Sequence, residues 1–260
     1  MSSKKKNNAI IWTNCATELK DLASLLKCES LSENTHSIFK AANLLEKMKY
    51  TPSSRAKSIK KMNIDWGYNI NGLVVTSASI PRGVFPANIN MIRITINYEM
   101  YAVYEDYNSF CDPFKYLSIE VKIDGIDKVN GTFSSAFHID RDLDSSSPSI
   151  ESHPAYHIHF GGDCLDYHKK QYGEMLFMGA PRIMIYPMDF YLALEFIGDN
   201  FFPDKLSKMK QNVQFNKKLK DKKEKLWHPY FDALSSHWNG GSLPKNKWLA
   251  DKILPQLKIQ

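Results

Sequence analysis

The chain has 260 residues, 43% hydrophobic and 12% aromatic, with 12 Gly and 12 Pro, which excludes collagen-like, mucin-like and wholly disordered proteins. The formal net charge is +6, and the four cysteines form no CxxC pair, which argues against a zinc ribbon or a disulfide scaffold. Because no apolar stretch approaches the roughly 18 residues of a spanning helix and no signal peptide is recognisable, we expect a cytoplasmic protein that does not bind membranes.

The N-terminal part of the chain is predicted to be helical after a short tail. Residues 1–8 carry no side chains that would form a core, so we expect this tail to be disordered and residues 9–260 to form a single domain. Leucines at 19, 22, 25 and 26 recur at helical spacing, and a second apolar series from His36 to Met48 ends before Pro52. These patterns predict helices within residues 15–62.

A change of periodicity then indicates β-strands. The β-rich runs are separated by turn-forming residues such as Pro81-Arg82-Gly83 and Asp124-Gly125, and they cover residues 72–80, 91–104, 115–124 and 132–140. In the third run Ile119 and Val121 alternate with Glu120 and Lys122, so one face of the sheet is expected to be polar. Short connections favour an antiparallel meander within residues 70–160, and the predicted fold class is α+β.

The C-terminal part, residues 186–260, is predicted to be helical again. Tyr186-Pro187-Met188-Asp189 predicts a helix start, with Pro in the first turn and Asp189 at the positive N-terminus. The apolar residues that follow recur at helical spacing: Phe190, Leu194, Ile197 and Phe201. Arg182 stands in an apolar setting and needs an anionic partner, either a bound phosphate or an internal carboxylate such as Asp189 or Glu195.

A lysine-rich segment follows this helix. Between Lys205 and Leu226 nine lysines stand against Asp221 and Glu224, a local charge of 9 − 2 = +7. Such a cluster attracts polyanions, and with only five arginines in the chain the contacts to nucleic acid would be independent of sequence. The candidate binding lysines are Lys217, Lys218, Lys220, Lys222 and Lys223. The structural alternative is a solvated helix face above a thin apolar stripe.

Histidines concentrate between residues 138 and 168, where five of the eight lie. If residues 156–160 form a strand, His157 and His159 project from one face, and the turn at Gly161-Gly162 brings Asp163 or Cys164 beside them. His157, His159 and Asp163 are therefore a candidate site for a divalent metal in a phosphoesterase or nuclease, with His157, His159 and Cys164 as candidate catalytic residues. If no metal is bound, the two imidazoles would act as acid and base on a phosphate. The structural alternative is that these histidines only form hydrogen bonds across the sheet.

A second pattern with metal chemistry lies on the third strand. Glu120-Val121-Lys122, preceded by Asp106, resembles the acid, acid-x-lysine arrangement of restriction-type nucleases. That resemblance implies Mg²⁺ held by the carboxylates and a lysine that positions the attacking water. Plain alternation of an exposed strand face explains the same residues.

The order of helix, meander, His153-Pro154, Cys164-Leu165-Asp166 and a Pro-initiated helix resembles the ubiquitin-conjugating fold over about residues 70–205. This resemblance implies a thioester carrier on Cys164, with His159 or His168 promoting the thiolate. Ala155 stands where that family has the Asn that stabilises the oxyanion, which weakens the implied chemistry. The structural alternative for Cys164 is a small buried side chain near a turn.

A wider pattern gives the leading functional hypothesis. His-Pro-x-Tyr-His-x-His-Phe-Gly-Gly at 153–162, with Pro181-Arg182 and Pro187-Met188-Asp189, resembles uncharacterised bacterial proteins of mobile and phage-defence loci. The resemblance implies a bacterial protein with a role in defence. We therefore expect a component of a larger assembly that binds a polyanion or a protein partner through the lysine-rich helix and the histidine-rich turn. Whether it is an enzyme stays open at this point.

Overall fold

The structure, a computed structural model, describes most of the chain. The described residues are 3–32, 34–47, 66–78, 80–82, 84, 88–103, 111–129, 131–141, 154–161, 182–238, 248–254 and 257, with the backbone alone for 3–9 and 252. Within these ranges, no helix combines the length and the apolar character that crossing a membrane requires.

Six strands form one antiparallel sheet in which every strand lies beside its neighbour in the chain. They are β1 (Trp66–Ser77), β2 (Met91–Ala102), β3 (Phe114–Asp127), β4 (Gly131–Arg141), β5 (Tyr156–Phe160) and β6 (Ile183–Met184). Helices precede and follow this sheet, so the predicted α+β class and the meander are confirmed. The two-residue β6 was not predicted, because two residues carry no periodicity.

Two strand boundaries differ from the prediction for identifiable reasons. β1 begins at Trp66 rather than at residue 72, because a bulge between Ile70 and Leu73 interrupts the alternation on which the prediction rested. β3 continues through Asp124-Gly125, which was predicted to be a turn. A Cβ on Gly125 would come within 3.1 Å of the Ile89 side chain, so this glycine serves close packing and the chain reverses only after Asp127.

The helices described are α1 (Ser3–Cys28), α2 (His36–Glu46), α3 (Phe190–Phe201), α4 (Pro203–Gln211), α5 (Val213–Trp238) and α6 (Ala250–Ile253). α1 begins at Ser3, so the backbone of residues 3–8 is helical where the sequence predicted a disordered tail. Once the amphipathic part of a helix has formed, extending it by another turn costs little. Residues 48–62, the last part of the predicted N-terminal helical region, lie outside the described residues.

α3 begins later than expected. Its first residue is Phe190, and Pro187 therefore precedes the helix instead of occupying its first turn. Asp189 is the N-cap, because its Oδ1 accepts a hydrogen bond from the backbone N–H of Leu192 at 3.1 Å.

The two faces of the sheet differ in character. On the core face, Leu117, Ile119 and Val121 of β3 are at most 1% exposed, and burying each such side chain contributes about 1.5–3 kcal/mol. Rings from α3 pack on this face, where Phe190 lies 5.3 Å from Tyr98 between centroids. The opposite face, which we call the polar face, carries Ser118, Glu120 and Lys122 of the same strand.

Candidate metal centre on the polar face

Strand pairing aligns polar side chains of four strands into two adjacent rows across the polar face. Directly paired residues of antiparallel strands share a face, with Cβ atoms about 4.5–5.5 Å apart. The first row is Asn97, Glu120, His138 and His159, from β2, β3, β4 and β5 respectively. The second row is Glu99, Ser118, Asp140 and His157. Histidines and carboxylates from separate parts of the sequence are thereby concentrated over β3–β5.

Three of these residues bring metal-ligating atoms together: His138, Asp140 and His159, which we call the metal trio. One ligand atom from each lies within 4.8 Å of the other two. His159 Nε2 is 3.3 Å from Asp140 Oδ2, and the rings of His138 and His159 stack with centroids 5.1 Å apart. Ligands of one tetrahedral ion at about 2.1 Å are roughly 3.4 Å apart, so small side-chain rotations bring the trio into a coordination shell.

The electrostatics of the trio favour the metal-binding form of Asp140. Burial raises the pKa of this carboxyl, but hydrogen bonds from His159 and Ser118 and the charges of His138 and His159 outweigh it, so the pKa lies below its usual value. Asp140 is therefore an anion at neutral pH, the state in which a carboxylate binds a metal.

One ring nitrogen of His159 has no hydrogen-bond partner among the described residues. This nitrogen, Nδ1, is buried. Buried polar atoms in folded proteins normally have a partner, so this ring nitrogen keeps the capacity to bind one.

His157 lies beside the trio. Its ring centroid is 5.7 Å from that of His159, and the two side chains share the polar face, as the alternation of β5 predicts. Nδ1 of His157 lies 3.1 Å from the carbonyl oxygen of Pro154, and because a carbonyl only accepts, this nitrogen carries the proton. His157 is 4% exposed, so it is a largely buried neighbour of the trio.

The trio differs from the ligand set proposed from the sequence. Of the predicted ligands, the structure groups His159 with His138 and Asp140, and it places His157 next to them. Asp163 and Cys164 lie outside the described residues, so their predicted roles stay predictions. Asp140 was missed although a signal existed: His138-Ile139-Asp140 alternates on the strand that pairs with His157-Ile158-His159.

The lysine-rich segment is only partly available to a partner. Lys222 is 7% exposed and its Nζ lies 2.9 Å from Glu18 and 3.3 Å from Asp189, so this lysine pairs with internal carboxylates and its predicted contact with an external polyanion has no support in this geometry. The apolar stripe of this helix predicted an inward face, and Lys222 belongs to that face because the buried Asp189 and the half-buried Glu18 are neutralised by its charge.

Two further lysines also bind internal carboxylates. Lys218 Nζ lies 2.7 Å from Glu18, and Lys223 Nζ lies 2.8 Å from Glu195. Lys217 and Lys220 are exposed. Arg182 is half-buried beside β6, while Asp189 and Glu195, the carboxylates considered for it, form ion pairs with lysines.

Glu120 and Lys122, singled out by the nuclease-like pattern, lie on the polar face as alternation predicts. Glu120 Oε2 accepts a hydrogen bond from Asn97 Nδ2 at 3.2 Å, and Lys122 Nζ lies 3.0 Å from Asp124. Asp106, the first acid of that pattern, lies outside the described residues.

Comparison with known proteins finds no matching family model, no matching curated protein and no matching solved structure. The ubiquitin-conjugating and phage-defence likenesses therefore stay predictions from the sequence.

Proposed function

We propose that this protein binds one divalent transition-metal ion through His138, Asp140 and His159 and uses it to hydrolyse phosphoesters. The observation that carries the proposal is the convergence of three ligand atoms to within 4.8 Å of one another. Two imidazoles and one carboxylate suit Zn²⁺, Mn²⁺ or Fe²⁺ better than Ca²⁺ or Mg²⁺, which prefer oxygen ligands.

Three protein ligands also leave room for chemistry. Structural zinc sites use four protein ligands, whereas catalytic sites use three and keep a position for water or substrate. A metal held there would lower the pKa of a bound water and supply a nucleophile near neutral pH. His157 stands next to the trio with its Nδ1 proton committed to Pro154, a geometry that suits proton transfer beside the ion.

One feature favours an anionic, phosphate-containing substrate. The chain carries a net charge of +6, which attracts anions at long range. Lys122 lies on the polar face of β3, but its ammonium group is already paired with Asp124 at 3.0 Å.

The test is a metal titration of the metal-free protein with Zn²⁺, Mn²⁺ and Co²⁺ by isothermal calorimetry, together with elemental analysis. We expect one ion per chain, and at least a hundredfold weaker binding in His138→Ala, Asp140→Ala and His159→Ala, because each removes one of three ligands. Hydrolysis of bis-p-nitrophenyl phosphate should require added metal and disappear in Asp140→Ala.

His228→Ala is the matched control, because His228 lies on α5 with its side chain 60% exposed and contacts Glu224 and Asp232 rather than the trio. It should bind metal like the parent protein. A protein that takes up no stoichiometric ion, or a His138→Ala variant with parental affinity, would overturn the proposal in favour of a purely hydrogen-bonded histidine cluster.

We retain polyanion or protein-partner binding in a bacterial defence assembly as a second proposal. Its structural support is the exposure of Lys217 and Lys220 on α5. The remaining candidate lysines, Lys218, Lys222 and Lys223, contribute ion pairs within the protein and no longer support it.

A further inference from the structure

A line of hydrogen bonds crosses the polar face from β1 towards the metal trio. The backbone N–H of Gly72 donates to Asn97 Oδ1 at 2.8 Å, and Asn97 Nδ2 donates to Glu120 Oε2 at 3.2 Å. Glu120 in turn is paired with His138 in the β3–β4 register. The line of hydrogen bonds therefore ends at Glu120, directly across the β3–β4 pair from His138.

This line of hydrogen bonds begins at the β1 bulge, and the donor there sets the donor-to-acceptor direction of the whole line. Gly72 lies inside the bulge with φ of +69°, a conformation that favours glycine, and its N–H points to a side chain of the neighbouring strand. Because an N–H only donates, the Asn97 amide must present its oxygen to Gly72 and its NH₂ to Glu120. The amide orientation thus fixes the Glu120 carboxylate on β3.

A carboxylate at this place has a known physical use. A histidine that binds a metal through one ring nitrogen usually donates its other N–H to a carboxylate or carbonyl, which fixes the tautomer and the ring orientation. Glu120 is not among the residues whose ligand atoms converge, yet it stands directly across from His138. Its position is that of an outer partner of the ligand rather than of a ligand itself.

We propose that Glu120 is a positioning residue that accepts the N–H of one His138 ring nitrogen and leaves the other nitrogen for the metal, with Asn97 holding the Glu120 carboxylate in place. The inference rests on the proposed metal site. It gives the Glu120-Val121-Lys122 pattern a role that differs from direct Mg²⁺ ligation.

The first measurement is the affinity of the full chain for Co²⁺ and Zn²⁺, with the visible absorption of bound Co²⁺ as a report on ligand geometry. Glu120→Ala should bind metal about 10–100-fold more weakly, as is usual when such an outer partner is lost. Glu120→Gln keeps an accepting oxygen and should recover part of the affinity. Asn97→Ala should weaken binding in the parent protein but add little in the Glu120→Ala background, since both changes break the same line.

The second measurement is the tautomer of His138 in the metal-free protein, read from its ¹⁵N chemical shifts by NMR. We expect one tautomer in the parent protein and a mixture in Glu120→Ala. Glu99→Gln is the matched control: Glu99 is a carboxylate of the polar face, but it is paired with Ser118 in the second row. It should change neither the tautomer nor the affinity.

The outcomes separate the two proposals. If the parent protein binds no metal, the proposed function fails, and the His138 tautomer still decides whether Glu120 accepts its proton. If the parent protein binds metal while Glu120→Ala changes neither the affinity nor the tautomer, the role of Glu120 is overturned and the metal site stands. An equal loss in Glu99→Gln would also overturn the role of Glu120, because the effect would then not be specific to its position.

Discussion

At the scale of single residues, Lys222 shows how a charged side chain becomes part of the core. Its ammonium group contacts Glu18 at 2.9 Å and Asp189 at 3.3 Å and so links α1 and the N-cap of α3 to α5. Burial raises the pKa of Asp189, and Lys222 counters part of this rise. Burial also acts on Glu18, but Lys222 and Lys218 hold its pKa below the usual value. The lysine therefore stabilises two carboxylates that would otherwise be costly to bury.

Replacing this lysine should therefore destabilise the protein strongly. We expect Lys222→Met to lower the free energy of unfolding by about 3–5 kcal/mol, the usual effect of removing one partner of a buried pair. Urea unfolding followed by circular dichroism measures the change. Lys220→Met, an exposed position two residues away, should stay within about 0.5 kcal/mol of the parent protein. Equal stability of the two variants would contradict the structural role of Lys222.

At the scale of elements, α5 has two functionally different sides. The inward side carries Leu219, Leu226 and the paired lysines, whereas Lys217 and Lys220 face solvent. The sequence predicted a lysine-rich helix but not this division. A count of charges along α5 does not distinguish a lysine that neutralises a buried carboxylate from one that faces water. The carboxylates belong to helices that are far from α5 in the sequence.

This division makes the polyanion proposal testable on two positions. Charge reversal of both, Lys217→Glu with Lys220→Glu, should weaken binding to a mixed-sequence DNA duplex and reduce the salt dependence by about one counterion per lost phosphate contact. Fluorescence anisotropy at several salt concentrations measures both effects. Lys128→Glu, an exposed lysine after β3, is the control for a general change in charge. Unchanged affinity of the double variant would remove the polyanion proposal.

At the scale of the whole molecule, the sequence pattern of a single strand predicted which of its residues face the core. The alternation in β3 correctly separated Ile119 and Val121 in the core from Glu120 and Lys122 on the polar face. The sequence did not reveal the metal trio, because it requires knowing that β4 pairs with β5 in the register that sets His138 opposite His159. Such a register follows from the assembled sheet and not from either strand alone.

The β4–β5 register has a further consequence for the order in which the protein forms. Residues 128–130 join β3 to β4, whereas residues 142–155 separate β4 from β5. In free energy, closing the longer connection costs about 1.4 kcal/mol more chain entropy than closing the shorter one, so the closed state of the longer connection is roughly tenfold less populated. The β3–β4 hairpin should therefore form before β5 docks.

This order can be tested by refolding the chain from urea with Co²⁺ present. Far-ultraviolet ellipticity should recover before the cobalt absorption, and simultaneous recovery would contradict this order. Ion uptake would then report that β5 has docked on β4, so that a chain halted at the hairpin stage would be structured yet lack the proposed metal site.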